Sequence, residues 1–371
     1  MSRCYVVAAG GTGGHLFPAE ALAAELIGGG SNVHLLSDAR TEAFAGQVAE
    51  IETHHVRAAQ LGGGAAHTAH ALGELALGTL QARRLLRRLS PACVIGFGGY
   101  ASIPTMLAAV SLGLPTVIHE QNAVLGRANR LLGPRVRRIA TGFPATAGLR
   151  PADRARTLRT GNPVRPAVLA LARTKYKAPQ RGGPIEVLIL GGSQGARIMS
   201  EAVPPALAAL PTRLREMLRV SHQARPEDLP AAEALYRKNR IQVDLQSFFS
   251  DVPERLGRAH LTICRAGAST VAELAAIGRP AVLIPYPYAT DNHQAANARA
   301  FAEAGAGWVV SQPELRPDTF ALYLENLLGD PAALSAAAQR AGDFGRPGAA
   351  RDLAQLAIEL GLGSRPQGRA A

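Results

Sequence analysis

The chain has 371 residues, of which 47% are hydrophobic and 18% are charged. This is enough chain for two domains with buried cores, and the composition excludes wholesale disorder. The formal net charge of +12 predicts an anionic partner, although a genome that favours arginine would give a similar excess. Aromatic residues make up only 5% of the chain, which argues against a nucleic-acid surface built on base stacking.

Seven apolar runs are predicted to be strands, and Ala- and Leu-rich helical stretches separate them. The runs are Tyr5–Ala9, Val33–Ser37, Cys93–Phe97, Thr116–His119, Val187–Leu190, Leu261–Cys264 and Ala281–Pro285. They are continuously apolar, as in parallel strands that are covered on both faces. The alternation predicts a doubly wound α/β fold.

The cysteines and the chain start predict a reducing compartment. Cys4, Cys93 and Cys264 lie in apolar runs without metal-binding spacing, so we expect free buried thiols. The N-terminus runs straight into a strand, and we expect no signal peptide.

The segment Gly96–Ile118 has no charged residue and is long enough to span a bilayer. Glycines and prolines interrupt it, so we interpret it as strand, glycine loop, short helix and strand. Ser102 is expected to cap that helix, with Pro104 in its first turn.

Two segments share one plan: Val6–His15 and Val187–Ala196 both run from an apolar strand through glycines into a helix. The repeat predicts two Rossmann-like domains, over residues 1–161 and 162–343, with a frayed tail at 362–371. Ligands of such folds bind outside the carboxyl ends of the strands, so we expect the chemistry in a cleft between the two sheets.

The first motif, Gly10–His15, places glycine N–H groups and a helix N-terminus where they suit an anion. It matches neither the glycine fingerprint of dinucleotide-binding domains nor the phosphate-binding loop of nucleoside triphosphatases. A lone histidine is more often structural, but His15 shares a turn with this anion site, which favours a functional role.

Two further motifs follow strands of the first domain. Gly98, Gly99 and Tyr100 form a second glycine loop, and His119–Asn122 are four polar residues directly after a buried strand. Glu120 is a candidate general base, or a residue that orients one. The alternative for His119–Asn122 is a solvated loop.

The second domain has its own glycine loop, Gly191–Arg197, and a turn, Arg265–Glu273, after a strand. Thr270 and Glu273 also have the spacing of a capping box, which would explain both without a ligand. The segment Asp291–Asn297 is rich in carboxamides that suit sugar hydroxyls, although Asp291 is equally placed to cap a helix.

No Asp-x-Asp motif occurs, so no metal site for a diphosphate is predicted. Helix N-termini and an arginine, with Arg165 as the candidate, would stabilise a leaving diphosphate instead.

Together these motifs closely resemble glycosyltransferase family 28, in particular its members that add N-acetylglucosamine (GlcNAc) to the lipid-linked cell-wall precursor lipid I. The resemblance covers, in order, Gly10–His15, Gly98–Tyr100, His119–Asn122, Gly161–Arg165, Gly191–Arg197, Arg265–Glu273 and Asp291–Asn297. It implies a GT-B fold in which a helix at about 344–361 returns to the N-terminal domain. It also implies inverting transfer of GlcNAc from UDP-GlcNAc to the C4 hydroxyl of MurNAc, giving lipid II, without a cofactor.

The resemblance further implies residue roles. His15 and Glu120 are the candidates for deprotonating the attacking hydroxyl, and the sequence leaves open which one acts. The UDP-GlcNAc contacts would be Thr12, Gly13, Gly14, Asn122, Arg165, Ser193, Phe249, Ala268, Ser269, Thr270, Val271, Ala272, Glu273 and Gln294. Phe249 would frame the uracil mainly through its backbone, and Glu273 would bind the ribose. The acceptor pyrophosphate would meet Gly10, Gly11, Gly98, Gly99 and Tyr100.

A membrane-bound acceptor implies a peripheral enzyme on the cytoplasmic face of the bacterial inner membrane. Other proteins of cell-wall synthesis and division are further implied partners. Candidate contacts for anionic lipids are an apolar strip, Leu72, Leu75, Leu77 and Leu80, arginines 83, 84, 87 and 88, and a second cluster of arginines at 127, 130, 135, 137 and 138. The alternative is that the leucines belong to the core.

Three alternatives remain. Another GT-B UDP-sugar glycosyltransferase or a UDP-GlcNAc 2-epimerase would share the donor site. An NAD-dependent oxidoreductase would use an acidic residue after the second strand, where Asp38 stands. A nucleic-acid-binding protein fits poorly, because the charges are dispersed and aromatics are few.

Overall fold

The computed structural model describes residues 2–10, 13–38, 51–60, 64–192 and 196–363. The chain divides into two compact units, Met1–Arg165 with Gly348–Ala371, and Pro166–Pro347. The sequence placed both boundaries four residues earlier.

The first unit is built on a seven-stranded, all-parallel sheet. Its strands are β1 (Cys4–Ala8), β2 (Asn32–Ser37), β3 (Glu52–His55), β4 (Cys93–Gly96), β5 (Thr116–Glu120), β6 (Arg138–Thr141) and β7 (Thr157–Arg159). Its first helices are α1 (Gly13–Gly28), α2 (Ala65–Leu89), α3 (Ser102–Ser111) and α4 (Arg127–Leu132). The strand order is β3-β2-β1-β4-β5-β6-β7.

The second unit contains a six-stranded parallel sheet of the same plan. Its strands are β8 (Ile185–Leu190), β9 (Leu218–Gln223), β10 (Gln242–Gln246), β11 (Leu261–Cys264), β12 (Ala281–Leu283) and β13 (Gly307–Val309). Its helices are α5 (Pro166–Leu169), α6 (Arg197–Ala208), α7 (Thr212–Met217), α8 (Leu229–Lys238), α9 (Val252–Arg258), α10 (Ala268–Ala276), α11 (His293–Glu303), α12 (Pro317–Leu328) and α13 (Pro331–Phe344). The order is β10-β9-β8-β11-β12-β13.

Both orders reverse next to the first strand of the unit, between β1 and β4 and between β8 and β11. This reversal is the topological switch point at which Rossmann-type sheets bind ligands. The predicted class, two Rossmann-like α/β domains, is therefore confirmed. All seven predicted strands are present, with ends displaced by at most two residues.

The strands are apolar throughout because each sheet is covered on both faces. In β1, Tyr5 and Val7 lie in a cluster with α1, whereas Val6 and Ala8 lie in a cluster on the opposite face with residues of α2 and α3. The closing helix, α14 (Ala349–Gly363), packs on the α1 side and buries Leu353 there.

The uncharged segment 96–118 is the end of β4, the loop to α3, α3 itself and the start of β5, as predicted. Among the described residues, no helix has the length and apolarity needed to cross a membrane. The prediction of Ser102 as a cap was wrong, because Ala101 is the N-cap and the Ser102 hydroxyl donates to the Gly99 carbonyl.

Helix α2 presents a mixed surface. Leu75 is 8% exposed and packs with Ile103, so its place in the predicted apolar strip was wrong. Leu72, Leu77 and Leu80 are 55%, 47% and 53% exposed. At 100° per residue these three fall on the same half of the helix as the arginines at 83, 84, 87 and 88.

Gly78 of α2 is the point at which the helix approaches the chain after β3. A Cβ atom there would lie 1.9 Å from the Arg57 carbonyl oxygen, whereas a Cβ on Gly73 would meet nothing within 4 Å. Gly78→Ala is therefore expected to lower the free energy of unfolding by at least about 1–3 kcal/mol, as overpacking does. Gly73→Ala, the matched control, is expected to raise it by about 0.5–1 kcal/mol, because alanine favours the helix. Urea unfolding measures both, and equal stability of the two variants would contradict the close approach.

Candidate active site

The glycines at the first unit's switch point allow two loops to approach each other. A Cβ atom on Gly10 would lie 2.6 Å from the Ala101 Cβ and 2.9 Å from the Ser37 Oγ. Gly98 and Gly99 have φ angles of +81° and +70°, which residues with side chains rarely adopt. Gly10, after β1, and the loop after β4 therefore form one backbone-lined surface.

His15 stands in the first turn of α1, against this surface. A Cβ atom on Gly99 would lie 3.3 Å from its Cδ2 and 3.5 Å from its Nε2. The Nε2 edge of the imidazole therefore faces the glycine loop. The Nδ1 atom on the other edge lies 3.0 Å from Oε1 of Gln121.

A chain of hydrogen bonds connects His15 to the core. His119, fully buried, places Nε2 2.8 Å from the Gly161 carbonyl oxygen, and Gln121 places its amide nitrogen 3.1 Å from both the His119 Nδ1 and the His119 carbonyl oxygen. Burial lowers the pKa of His119 to about 4, so this ring is neutral at pH 7.

Carbonyl oxygens only accept, and this fixes the direction of every bond in the chain. His119 donates from Nε2 to Gly161, and its Nδ1 accepts from the Gln121 amide. The Gln121 Oε1 must then accept, so His15 donates from Nδ1. Neutral His15 consequently carries its lone pair on Nε2, beside Gly99.

The Glu120 carboxylate, in contrast, is enclosed by hydrogen-bond donors. Glu120 is 2% exposed, and its two carboxylate oxygens accept from four groups. Oε1 accepts from the backbone and side-chain amides of Asn122 at 3.0 and 3.2 Å, and Oε2 from the Gly126 N–H and the Asn129 amide at 2.8 and 2.9 Å. Gly126 is the N-cap of α4, so the carboxylate orders the loop between β5 and α4.

Arg165 and Tyr100, two further predicted site residues, lie in the same unit. The Arg165 guanidinium is 5.3 Å from the centre of the Phe17 ring. Phe17 lies on α1, one turn before Glu20. Burial raises the pKa of Glu20 to about 7, against the opposing effect of Arg165. Tyr100 is half-buried.

In the second unit, the turn after β11 leads into α10, which begins at Ala268 with Gly267 as its N-cap. The capping-box alternative was therefore wrong: Thr270 is the third residue of the helix, and Glu273 lies one turn further on. The N–H groups of Ala268, Ser269 and Thr270 are those that a helix leaves without intrahelical partners. The Val271 N–H, in contrast, donates to the Gly267 carbonyl oxygen.

Two side chains at this helix are placed for a polar ligand. The Oγ of Ser269 is buried and has no hydrogen-bond partner within the described part of the chain. Glu273 is 7% exposed. Ala272 is half-buried, and Val271 is fully buried, so its side chain is part of the core.

The loop after β12 is held by side chains from the turn after β11 and from α11. Arg265 donates to the carbonyl oxygens of Ile284 and Pro285 at 3.1 Å. The Gln294 Oε1 accepts from the Tyr286 N–H at 2.9 Å. Asn292, not Asp291, is the N-cap of α11, so the predicted capping role of Asp291 was wrong.

Phe249 is 2% exposed, and the Arg255 guanidinium lies 3.8 Å from the centre of its ring. Asp244 and Asp251 pair with Arg255 at 2.6 and 2.7 Å. The ring is thus closed off, and the backbone is what Phe249 offers to a ligand.

Gly11, Thr12 and Ser193 lie outside the described residues. Gly13 and Gly14 open α1, and Gly14 is exposed. The sequence reasoning missed the roles of Gln121 and His119 within the polar run, as well as Glu20 and Arg255. The polar run pointed to the first pair, but no pattern in the sequence separates their roles.

Comparison with known proteins gives a family. The family model described as the glycosyltransferase family 28 N-terminal domain matches residues 5–141, and the model described as the family 28 C-terminal domain matches residues 186–353. Two relatives are named "UDP-N-acetylglucosamine--N-acetylmuramyl-(pentapeptide) pyrophosphoryl-undecaprenol N-acetylglucosamine transferase". The one from Rhodospirillum centenum is 55% identical over 97% of this chain and 95% of its own length. The one from Paramagnetospirillum magneticum is 51% identical over 95% of this chain and 96% of its own length.

A solved structure agrees with these matches. The crystal structure of Acinetobacter baumannii MurG superimposes with a TM-score of 0.79 at 30% sequence identity, over 96% of this chain and 99% of that chain.

Proposed function

The chain belongs to glycosyltransferase family 28, and we propose that it transfers GlcNAc from UDP-GlcNAc to the C4 hydroxyl of MurNAc in lipid I, forming lipid II. The observation that carries this proposal is the 55% identity, over 97% of the chain, to a relative named for that transfer. Asp38 does follow β2, as the dehydrogenase alternative required, but membership of family 28 argues against that alternative and against a nucleic-acid-binding protein.

We assign the general base to His15. Its Nε2 lone pair takes the proton of the C4 hydroxyl while the hydroxyl oxygen forms a bond to C1 of GlcNAc. The bond from C1 to the UDP oxygen breaks on the opposite side, which inverts the anomeric centre, and UDP leaves with the electron pair. The imidazolium that forms keeps its Nδ1–H bond to Gln121, so the ring does not have to turn.

Glu120 is the weaker candidate for this step. A base must present a lone pair to the substrate, and the Glu120 oxygens already accept four hydrogen bonds at 2.8 to 3.2 Å. Its role in this proposal is to hold Asn122 and the loop before α4.

Mutations distinguish the proposed roles of His15, Gln121 and Glu120. His15→Ala is expected to lower kcat by about 10²–10⁴-fold with an unchanged melting temperature, because only proton transfer is lost. Gln121→Ala should lower kcat less and leave the KM for UDP-GlcNAc unchanged. Glu120→Gln should lower the melting temperature, because an NH₂ group replaces an acceptor. A Glu120→Gln enzyme that melts normally but loses as much activity as His15→Ala would move the base to Glu120.

The donor is proposed to bind the second unit at the N-terminus of α10. The first-turn N–H groups and the Ser269 hydroxyl, which has no partner among the described residues, suit a diphosphate, because all of them donate and the helix dipole adds positive charge. The Glu273 carboxylate, one turn further on, suits the ribose hydroxyls, and the Gln294 amide suits the sugar.

The donor site predicts a selective loss of affinity. Glu273→Ala is expected to weaken the binding of both UDP-GlcNAc and UDP by about 10–100-fold, the range for a hydrogen bond to a charged group. Glu303→Ala removes an exposed carboxylate from the end of α11 and is the matched control. Titration calorimetry gives the affinities. A melting temperature that falls while affinity is retained would show that Glu273 is only structural.

The enzyme is proposed to lie on the cytoplasmic face of the inner membrane through α2. The exposed Leu72, Leu77 and Leu80 give this helix an apolar contact surface, and the arginines follow in its last turns. Apolar contact and attraction to anionic headgroups together favour a helix that lies at the membrane surface. The second cluster of arginines, from 127 to 138, is also exposed and adds charge of the same sign.

Vesicle binding tests this surface. Replacing Arg84, Arg87 and Arg88 with glutamine should weaken binding to anionic vesicles at low salt by about 1 kcal/mol for each arginine. Leu77→Ser with Leu80→Ser should weaken binding at all salt concentrations. Leu322→Ser, at a residue that is 63% exposed in the second unit, is the control. Co-sedimentation that is equal for all variants would contradict the proposal.

A further inference from the structure

Two histidines and a glutamate meet on one face of the first sheet, at its β2–β3 edge. His34 lies on β2, and Glu52 and His54 lie on the edge strand β3. The parallel register pairs His34 with Glu52 and Leu36 with His54. Residues 34, 52 and 54 therefore project from the same face, because side chains alternate along a strand.

The three side chains bring their ligand atoms together. The His34 Nδ1 lies 3.1 Å from the His54 Nε2 and 3.3 Å from the Glu52 Oε2. The other oxygen of Glu52 lies 3.5 Å from the His54 Nε2. The two rings are stacked, with centroids 5.3 Å apart.

These separations match the requirements of a tetrahedral metal ion. With bonds of about 2.0–2.1 Å, two ligands of tetrahedral zinc are about 3.3 Å apart. The observed 3.1, 3.3 and 3.5 Å scatter around that value. Two imidazoles and a carboxylate are borderline ligands that suit Zn²⁺ or Co²⁺ rather than Mg²⁺ or Ca²⁺.

We propose that His34, Glu52 and His54 form a binding site for a divalent transition metal, with Zn²⁺ as the preferred ion and a fourth position for water. The ion ties the edge strand β3 to β2 in addition to their backbone hydrogen bonds. This site is separate from the residues assigned to glycosyl transfer, and it does not depend on that assignment.

Residues next to the proposed site allow its charge to be tested as well as its ligands. The Arg88 guanidinium on α2 is close enough to act electrostatically on His54, and its positive charge opposes a cation. Arg88→Gln should therefore tighten metal binding. His55, the next residue of β3, projects to the other face, so His55→Gln is a control that removes one imidazole from the same strand.

The experiment uses the full chain without a polyhistidine tag, stripped of metal by a chelator. Co²⁺ titration is followed by the visible absorption of the tetrahedral ion, and Zn²⁺ displacement gives the zinc affinity. We expect one ion per chain in the native protein. We expect more than about 100-fold weaker binding in Glu52→Gln and His54→Gln, since loss of a ligand exceeds the 10–100-fold typical of a second-shell change. His55→Gln should bind as the native chain does.

Stability provides a second measurement. Zn²⁺ should raise the melting temperature of the native chain and of His55→Gln, but not that of Glu52→Gln. The Glu52 side chain is 66% exposed, so this variant is expected to fold, and circular dichroism checks that it does. Stoichiometric binding that survives in Glu52→Gln and His54→Gln would overturn the proposal. So would a native chain that binds no better than these variants.

Discussion

The hydrogen bond from the buried His119 ring to the Gly161 carbonyl oxygen determines the histidine tautomers of the candidate active site. Because a carbonyl oxygen can only accept, the bond fixes which His119 nitrogen carries the proton, and through Gln121 it fixes the proton on His15. The low pKa of His119, about 4, keeps that ring neutral across the neutral range, so its Nδ1 stays an acceptor for the Gln121 amide. Groups in the core thus determine which His15 nitrogen keeps its lone pair when the ring is neutral.

The fold was predictable to the extent that strands are apolar on both faces. The six strands that the sequence analysis missed include both edge strands of the first sheet, β3 with its exposed ends and the three-residue β7. The missed β9, Leu218–Gln223, lies inside its sheet but buries only alternate residues. Such strands carry too little continuous hydrophobicity to differ from loops, and their pairing is determined by the neighbouring strand.

The loops of the candidate site were predictable from the sequence, but the role of each residue in them was not. A polar run directly after a buried strand located His119–Asn122, but spacing along the chain does not tell which carboxylate is already saturated. Glu120 is committed to four donors, two of them from Gly126 and Asn129, which are six and nine residues away. Likewise, Thr270 and Glu273 matched a capping box in spacing alone, and the start of α10 at Ala268 removes that explanation. Hydrogen-bond partners more than one turn away along the chain are determined by the tertiary fold and not by sequence spacing.

The two units share the same strand order but present opposite kinds of hydrogen-bonding group at their switch points. At the first switch point, side chains supply an acceptor, the His15 Nε2, beside backbone held close by glycines. At the second, the groups are donors: the first N–H groups of α10, which a helix leaves without intrahelical partners, and the buried Ser269 hydroxyl, which has no partner in the described part of the chain. An acceptor suits a hydroxyl that must lose its proton, and donors suit a diphosphate that leaves with negative charge. The duplicated fold therefore provides two equivalent switch points, and the residues after β1, β4, β5 and β11 determine whether an acceptor or donors stand there.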